Sequence, residues 1–192
     1  MPWRTDPSAS GAALAKTGAI IVVILGLIGA LTVAMPSAYR VSRSVAITAA
    51  PSDVFPHVND FHKWKAWTPW LDDDPNAKVT IDGAPGKGAT YQWVGNGSVG
   101  EGKITILESD ANERIKLKLD FVRPMVRTAE AVFTCKKEDD KTLVTWTFVG
   151  ERDLVGKALG AVMSMEAMIG GRFDEGLKRM KAVGEGKEPR NK

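Results

Sequence analysis

The chain has 192 residues, 44% hydrophobic and 26% charged, with a formal charge of +3. That length allows one main domain plus an appendage, and the composition excludes a collagen-like, a disulfide-built or a wholly disordered protein. The single cysteine, Cys135, forms no intrachain disulfide, and with two histidines it makes a poor basis for a Cys/His zinc site. The pI of about 9.0 does not mark a nucleic-acid binder. Residues 1–40 carry a net +2 and residues 178–192 a net +4, which leaves the body near −3. Nucleic acid calls for a basic face on the folded body, so no nucleic-acid partner is expected.

Residues 1–16 form an N-terminal tail. No charge then occurs from Thr17 to Tyr39, and residues 18–35 are apolar apart from Thr32. A helix over that core is roughly 27 Å long and, with its flanks, matches the ~30 Å hydrocarbon layer. The core exceeds the ~7–15 apolar residues of a cleaved signal. Residues 17–38 are therefore expected to be a retained single-pass transmembrane helix, with the lipid bilayer as a partner. Arg4 and Lys16 precede the span and Arg40 and Arg43 follow it, so flanking charge leaves the orientation open.

A domain is expected over 39–183. Residues 39–48 read as a strand, with Val41, Val45 and Ile47 set against Arg43 and Thr48. Pro51-Ser52-Asp53 starts a short helix that buries Val54, Phe55 and Val58, with Pro56 tolerated in its first turn. A second short helix or turn covers 60–67. Strands follow at 78–81, 89–94, 98–108, 114–121, 127–136 and 142–150, separated by turn signals that include Gly95-Asn96-Gly97 and Asp110-Ala111-Asn112. Residues 154–182 carry helical spacing through Leu159, Val162, Ile169, Phe173, Leu177 and Met180, with a bend expected at Gly170-Gly171. A basic, disordered tail is expected over 184–192.

Strands joined by short turns make an antiparallel meander. The fold class is α+β: a curved sheet of about seven strands wrapped on one long C-terminal helix. Space between sheet and helix, with apolar walls, makes a ligand cavity. Period-2 alternation points Tyr91, Trp93, Ile104, Ile106, Leu117, Leu119, Phe121, Ala131, Phe133, Trp146 and Phe148 into it. Val162, Met165, Ile169 and Phe173 face them from the helix. Trp64, Trp67 and Trp70 recur every third residue; Trp64 reads as packing, whereas Trp67 and Trp70 divide between packing and an aromatic lip. The ligand-contact candidates are Trp67, Trp70, Tyr91, Trp93, Leu117, Leu119, Phe121, Phe133, Trp146, Phe148, Met165 and Ile169.

The segment from Val58 to Trp70, VNDFHKWKAWTPW, resembles the "VNDF..W..WSPW" stretch of a membrane-anchored bacterial branch of the START/Bet v 1-like (SRPBCC) superfamily, often labelled polyketide cyclase/dehydrase-like. Asp74-Pro75-Asn76, Val99-Gly100-Glu101-Gly102, Asn112-Glu113-Arg114-Ile115 and Val144-Thr145-Trp146 are similar to its other marks, as is Pro36-Ser37-Ala38-Tyr39 before the first strand. The resemblance implies the helix-grip fold, a hydrophobic cavity and a bacterial inner-membrane location. It implies little about chemistry.

Catalytic patterns are weak. Gly83-Ala84-Pro85-Gly86-Lys87-Gly88 lacks the phosphate-loop spacing, and Asp72, Asp74 and Asn76 lack the Gly and Glu of a calcium loop. His57 and His62 lack a third metal ligand, and Cys135 reads as a buried thiol. Of Tyr91, Glu101, Glu108, Glu130 and Arg127, most are expected to point outward, because a buried unpaired carboxylate is costly. No cofactor is implied and no metal ligand is assigned. The reading is a binder of a lipid-, quinone- or polyketide-like molecule. The alternatives are a cyclase/dehydrase-like enzyme, or an accessory subunit packed on other membrane proteins.

Overall fold

The computed structural model describes residues 16–20, 24, 26, 27, 29, 37–151 and 165–187. The chain divides into two compact units, residues 1–37 with 152–163 and residues 38–151 with 164–192. In the first, residues 16–20, 24, 26, 27 and 29 are helical. Among the described residues no helix is long and apolar enough to cross a membrane. Most of the expected span, 17–38, lies outside the described residues, as do Leu159 and Val162.

The second unit contains a seven-stranded sheet in the order β1-β7-β6-β5-β4-β3-β2. Its strands are β1 (Ala38–Ile47), β2 (Lys78–Asp82), β3 (Thr90–Val94), β4 (Glu101–Asp110), β5 (Arg114–Arg123), β6 (Arg127–Glu138) and β7 (Lys141–Glu151). All neighbours are antiparallel. Ala38, expected at the end of the span, instead opens β1 and pairs with Glu151. The helix α3 (Met165–Gly184) covers the inner face and buries Phe173, Leu177 and Met180. This is the helix-grip arrangement.

Two single turns, α1 (Pro51–Val54) and α2 (Pro56–Asn59), replace the one short helix expected over this stretch. Proline favours the first helical position because its missing N–H is an orphan there, and each turn begins on one. A 3₁₀ helix, Phe61–Ala66, follows and is capped by Asp60, whose carboxylate accepts the His62 N–H at 3.0 Å. At three residues per turn, positions i and i+3 eclipse. Phe61, Trp64 and Trp67 therefore form a file, with ring centroids 4.8 and 5.2 Å apart.

The first strand departs from the expected pattern. Arg43 shares the inner face with Val41, Val45 and Ile47, as period 2 requires. Its guanidinium engages Glu166 and, at 3.1 Å, Asp174, both on α3. The outer face is polar: Ser42 meets Thr147 at 2.9 Å and Ser44 meets Thr145 at 2.8 Å. No break in the helix occurs at Gly170-Gly171, and α3 runs continuously from Met165 to Gly184. Gly170 is where the Arg43 side chain passes the helix, and an added Cβ would lie 2.5 Å from its Nη2, so the guanidinium would have to shift.

The ordered chain also extends beyond 183. Gly186, at φ +68°, lets the Lys187 N–H reach the Ala182 carbonyl at 2.8 Å and the Gly186 N–H reach Val183 at 3.0 Å. That pair of bonds is a Schellman cap.

Candidate functional site

Inside this frame lies a cavity of about 370 Å³, toward the lower end of the ~300–1,000 Å³ typical of small-molecule sites. Strands β3, β4 and β5 contribute Tyr91, Trp93, Ile104, Leu117, Leu119 and Phe121 to its wall. Trp146 and Phe148 come from β7, Ile169 and Phe173 from α3, and Trp64 and Trp70 from the segment between β1 and β2. The lining also takes in Ser98 and Val99 of the β3–β4 turn, Arg123, Pro124, Met125 and Arg127 at the β5–β6 turn, and Leu71 and Ala77; of these, Ser98, Arg123, Pro124 and Met125 are exposed to solvent.

Nine of the expected contact residues lie on this wall: Trp70, Tyr91, Trp93, Leu117, Leu119, Phe121, Trp146, Phe148 and Ile169. Trp67 and Phe133 do not. Trp67 is fully buried in the core and donates its indole N–H to the His57 carbonyl at 2.8 Å. Phe133 lies behind Trp146, stacked on it at 4.9 Å. Met165 is the first residue of α3, and its side chain lies outside the described residues. Trp64, read as packing, fills both roles: its N–H is held by the Val58 carbonyl at 2.9 Å, and its ring reaches the wall.

An aromatic column joins sheet to helix. Phe173 stacks on Trp146 with centroids 3.9 Å apart and planes within 4°, while Trp70 leans on both from the side. Such contacts add to area burial and fix how closely α3 approaches the sheet. On β3, the Trp93 indole N–H is held by the Val99 carbonyl at 3.2 Å. The Trp93 ring covers Gly102, where a Cβ would strike it.

Polar groups on the wall are few. Burial pushes the Tyr91 hydroxyl up to about 12, so it stays protonated and acts as a donor. The Trp146 indole N–H is buried with no hydrogen-bond partner. Among the described residues the wall carries no carboxylate, imidazole or thiol. Glu101 pairs with Arg123 at 2.8 Å, Glu130 with Lys116 at 2.9 Å, and Glu108 with Arg114. His57 lies off the wall, and burial followed by the nearby Lys63 charge depresses its imidazole. Burial raises the Cys135 thiol to about 11. No group of three or more metal-ligating side chains converges among the described residues. Asp74, outside any calcium loop, is a buried tie that accepts the N–H groups of Asn76 at 3.1 Å and Asn96 at 2.7 Å.

The model of one family, described as polyketide cyclase/dehydrase and lipid transport, matches residues 38–185. The chain belongs to this family. The comparison with curated proteins finds no match. Among solved structures, the chain is similar to the Aha1 dimer from Colwellia psychrerythraea, with a TM-score of 0.55 and 17% identity over 77% of this chain and 96% of that one. It is similar to protein CV1439 from Chromobacterium violaceum, with a TM-score of 0.53 and 16% identity over 79% and 99%. It is also similar to Ara h 8.0201, with a TM-score of 0.55 and 10% identity over 78% and 99%. At these identities the likeness is one of fold.

Proposed function

We propose that this family member is a membrane-anchored protein that holds an apolar or amphipathic small molecule in the cavity between sheet and α3. The observation that carries the reading is the wall itself: aromatic and aliphatic side chains around about 370 Å³, with isolated donors in place of an acid–base pair. An apolar body gains ~25 cal/mol for each Å² it removes from water there. A single oxygen on that body would meet the Tyr91 hydroxyl or the unsatisfied Trp146 N–H, which recovers part of the cost of burying that group. Lipid-, quinone- and polyketide-like molecules share this chemistry. Among the described residues the wall carries no base, which favours binding over cyclase or dehydrase chemistry, since that needs a positioned proton acceptor. The apolar run over residues 18–35 supplies the anchor.

Native mass spectrometry of the full chain, extracted from its host membrane in mild detergent, tests the reading. The expected result is a bound small molecule that a fluorescent fatty acid displaces one for one. An empty chain that also leaves the fluorescent fatty acid unbound at micromolar concentration would overturn it.

A further inference from the structure

The β5–β6 hairpin ends in an unusual surface. Val122 near the end of β5 is 51% exposed, and Met125 and Val126 of the turn that follows are 51% and 86% exposed. Val122 is an extra residue on β5, since Glu101 pairs with Arg123 but Gly102 pairs with Phe121. Bulges at strand ends re-aim side chains. Val94 of β3, 45% exposed, sits beside this end, because it pairs with Glu101. Arg123 and Arg127 flank the apolar tip; Arg123 also binds Glu101, and the Arg127 guanidinium contacts the Met125 sulfur at 3.9 Å.

Register places this tip with respect to the start of the domain. Ala38 pairs with Glu151, Gly150 pairs with Ala129, and Arg127 pairs with Phe121. The first residue of β1 is level with the start of β6, two strand spacings or roughly 10 Å away, so it and the β5–β6 turn lie at one end of the sheet. Only Pro36 and Ser37 separate the apolar run ending at Met35 from Ala38. Three residue steps reach at most ~11 Å. An anchor over residues 18–35 would tether this end of the sheet within that reach of the bilayer surface. Arg123, Pro124, Met125 and Arg127 also line the cavity, and the first three are exposed, so we read this end as its mouth.

We propose that the β5–β6 tip inserts Val122, Met125 and Val126 into the interfacial layer of the membrane. The cavity mouth is thereby seated on lipid, and the guest enters without crossing water. Arginine stems lie along apolar surface while their heads stay among phosphates. The inference rests on the anchored, ligand-holding reading above and adds the contact through which it works.

The test uses the full chain in vesicles of phosphatidylcholine and phosphatidylglycerol. An environment-sensitive fluorophore is attached at V126C, at N112C on the far β4–β5 turn, or at L27C in the anchor. Native Cys135 is buried and stays in place. Lipids doxyl-labelled near the headgroup are expected to quench the label at position 126 and not the one at 112. Equal quenching at 126 and 112 overturns the proposal, as does a label at 126 that is shielded yet unquenched, which assigns the tip to a protein partner. Quenching at 27 without quenching at 126 sinks the docking and keeps the anchor; the reverse sinks the anchor and keeps the docking. A second variant, V122D/V126D, alters no wall residue. It is expected to bind a fluorescent fatty acid normally in detergent but to load from vesicles about tenfold more slowly, since two apolar contacts are replaced by charge. Unchanged loading overturns the proposal.

Discussion

Gly102 is a residue whose neighbours decide its identity. It faces Trp93 across β3 and Phe121 across β5, and the Trp93 ring lies over its Cα. A Cβ there would also sit 2.7 Å from the Asp120 carbonyl oxygen. Gly102→Ala is expected to destabilise the domain by ~1–3 kcal/mol through overpacking, lowering Tm by several degrees. Thermal unfolding followed by Trp fluorescence measures it, and an unchanged Tm would show that Trp93 moves aside freely. The sequence offers no sign of this contact, because Gly102 and Trp93 are neighbours only through the β3–β4 register. Arg43 teaches the same lesson with opposite chemistry. Its charge suggests the solvent face, yet it occupies the inner face because α3 brings Glu166 and Asp174 over it.

Among the elements, α3 has the firmest hold at its C-terminal end. Lys181 bonds the Ala46 carbonyl, and the Glu185 carboxylate accepts the Thr48 N–H at 3.0 Å. Lys187, the Thr48 N–H and Lys181 bring the Glu185 carboxyl down from an ordinary 4.5 to about 2. A carboxyl depressed by folding stabilises the fold in its ionised form. This contribution is complete above about pH 4.5 and is lost as the pH falls from there toward 2. Amide exchange at the end of α3 is expected to speed up across that window, and Glu185→Gln is expected to abolish the pH dependence. A step that survives in the variant belongs to another carboxylate. Elsewhere, element types and most boundaries are legible from periodicity, while α1 and α2 are not. Two prolines five residues apart, Pro51 and Pro56, each suit a helix start, and the hydrogen bonds alone show that both are used.

At the scale of the molecule, the cavity is a consequence of propping. The stack of Phe173 on Trp146 sets the distance between helix and sheet, and the smaller Leu117, Leu119 and Ile169 leave the space beside it unfilled. Filling that space is a direct test. Leu119→Trp is expected to abolish binding of a fluorescent fatty acid while the domain stays folded, because Leu119 lies on the wall and is only partly buried. Circular dichroism and a binding titration separate the two. Full binding in a folded variant would place the guest elsewhere. Nine of twelve expected contact residues lie on the wall; seven of them are strand residues, which period-2 alternation puts on one surface, and Ile169 and Trp70 come from α3 and the segment before β2. Alternation does not distinguish a side chain that borders a gap from one that fills it, and Trp67 and Phe133 are of the second kind.

The amino-acid order by itself determines a seven-stranded meander, a closing helix and an apolar interior, since each follows from local periodicity and turn chemistry. It also singles out the VNDF…W segment, whose side chains cap and bond their own near neighbours. The tertiary structure alone decides which inward residues leave a cavity, which charged residue crosses the inner face, and which apolar turn adjoins the cavity lining. Those outcomes depend on register, on the height at which aromatic rings hold the helix, and on one inserted residue in β5. Such distances and offsets arise between segments far apart in the chain, and no local pattern encodes them.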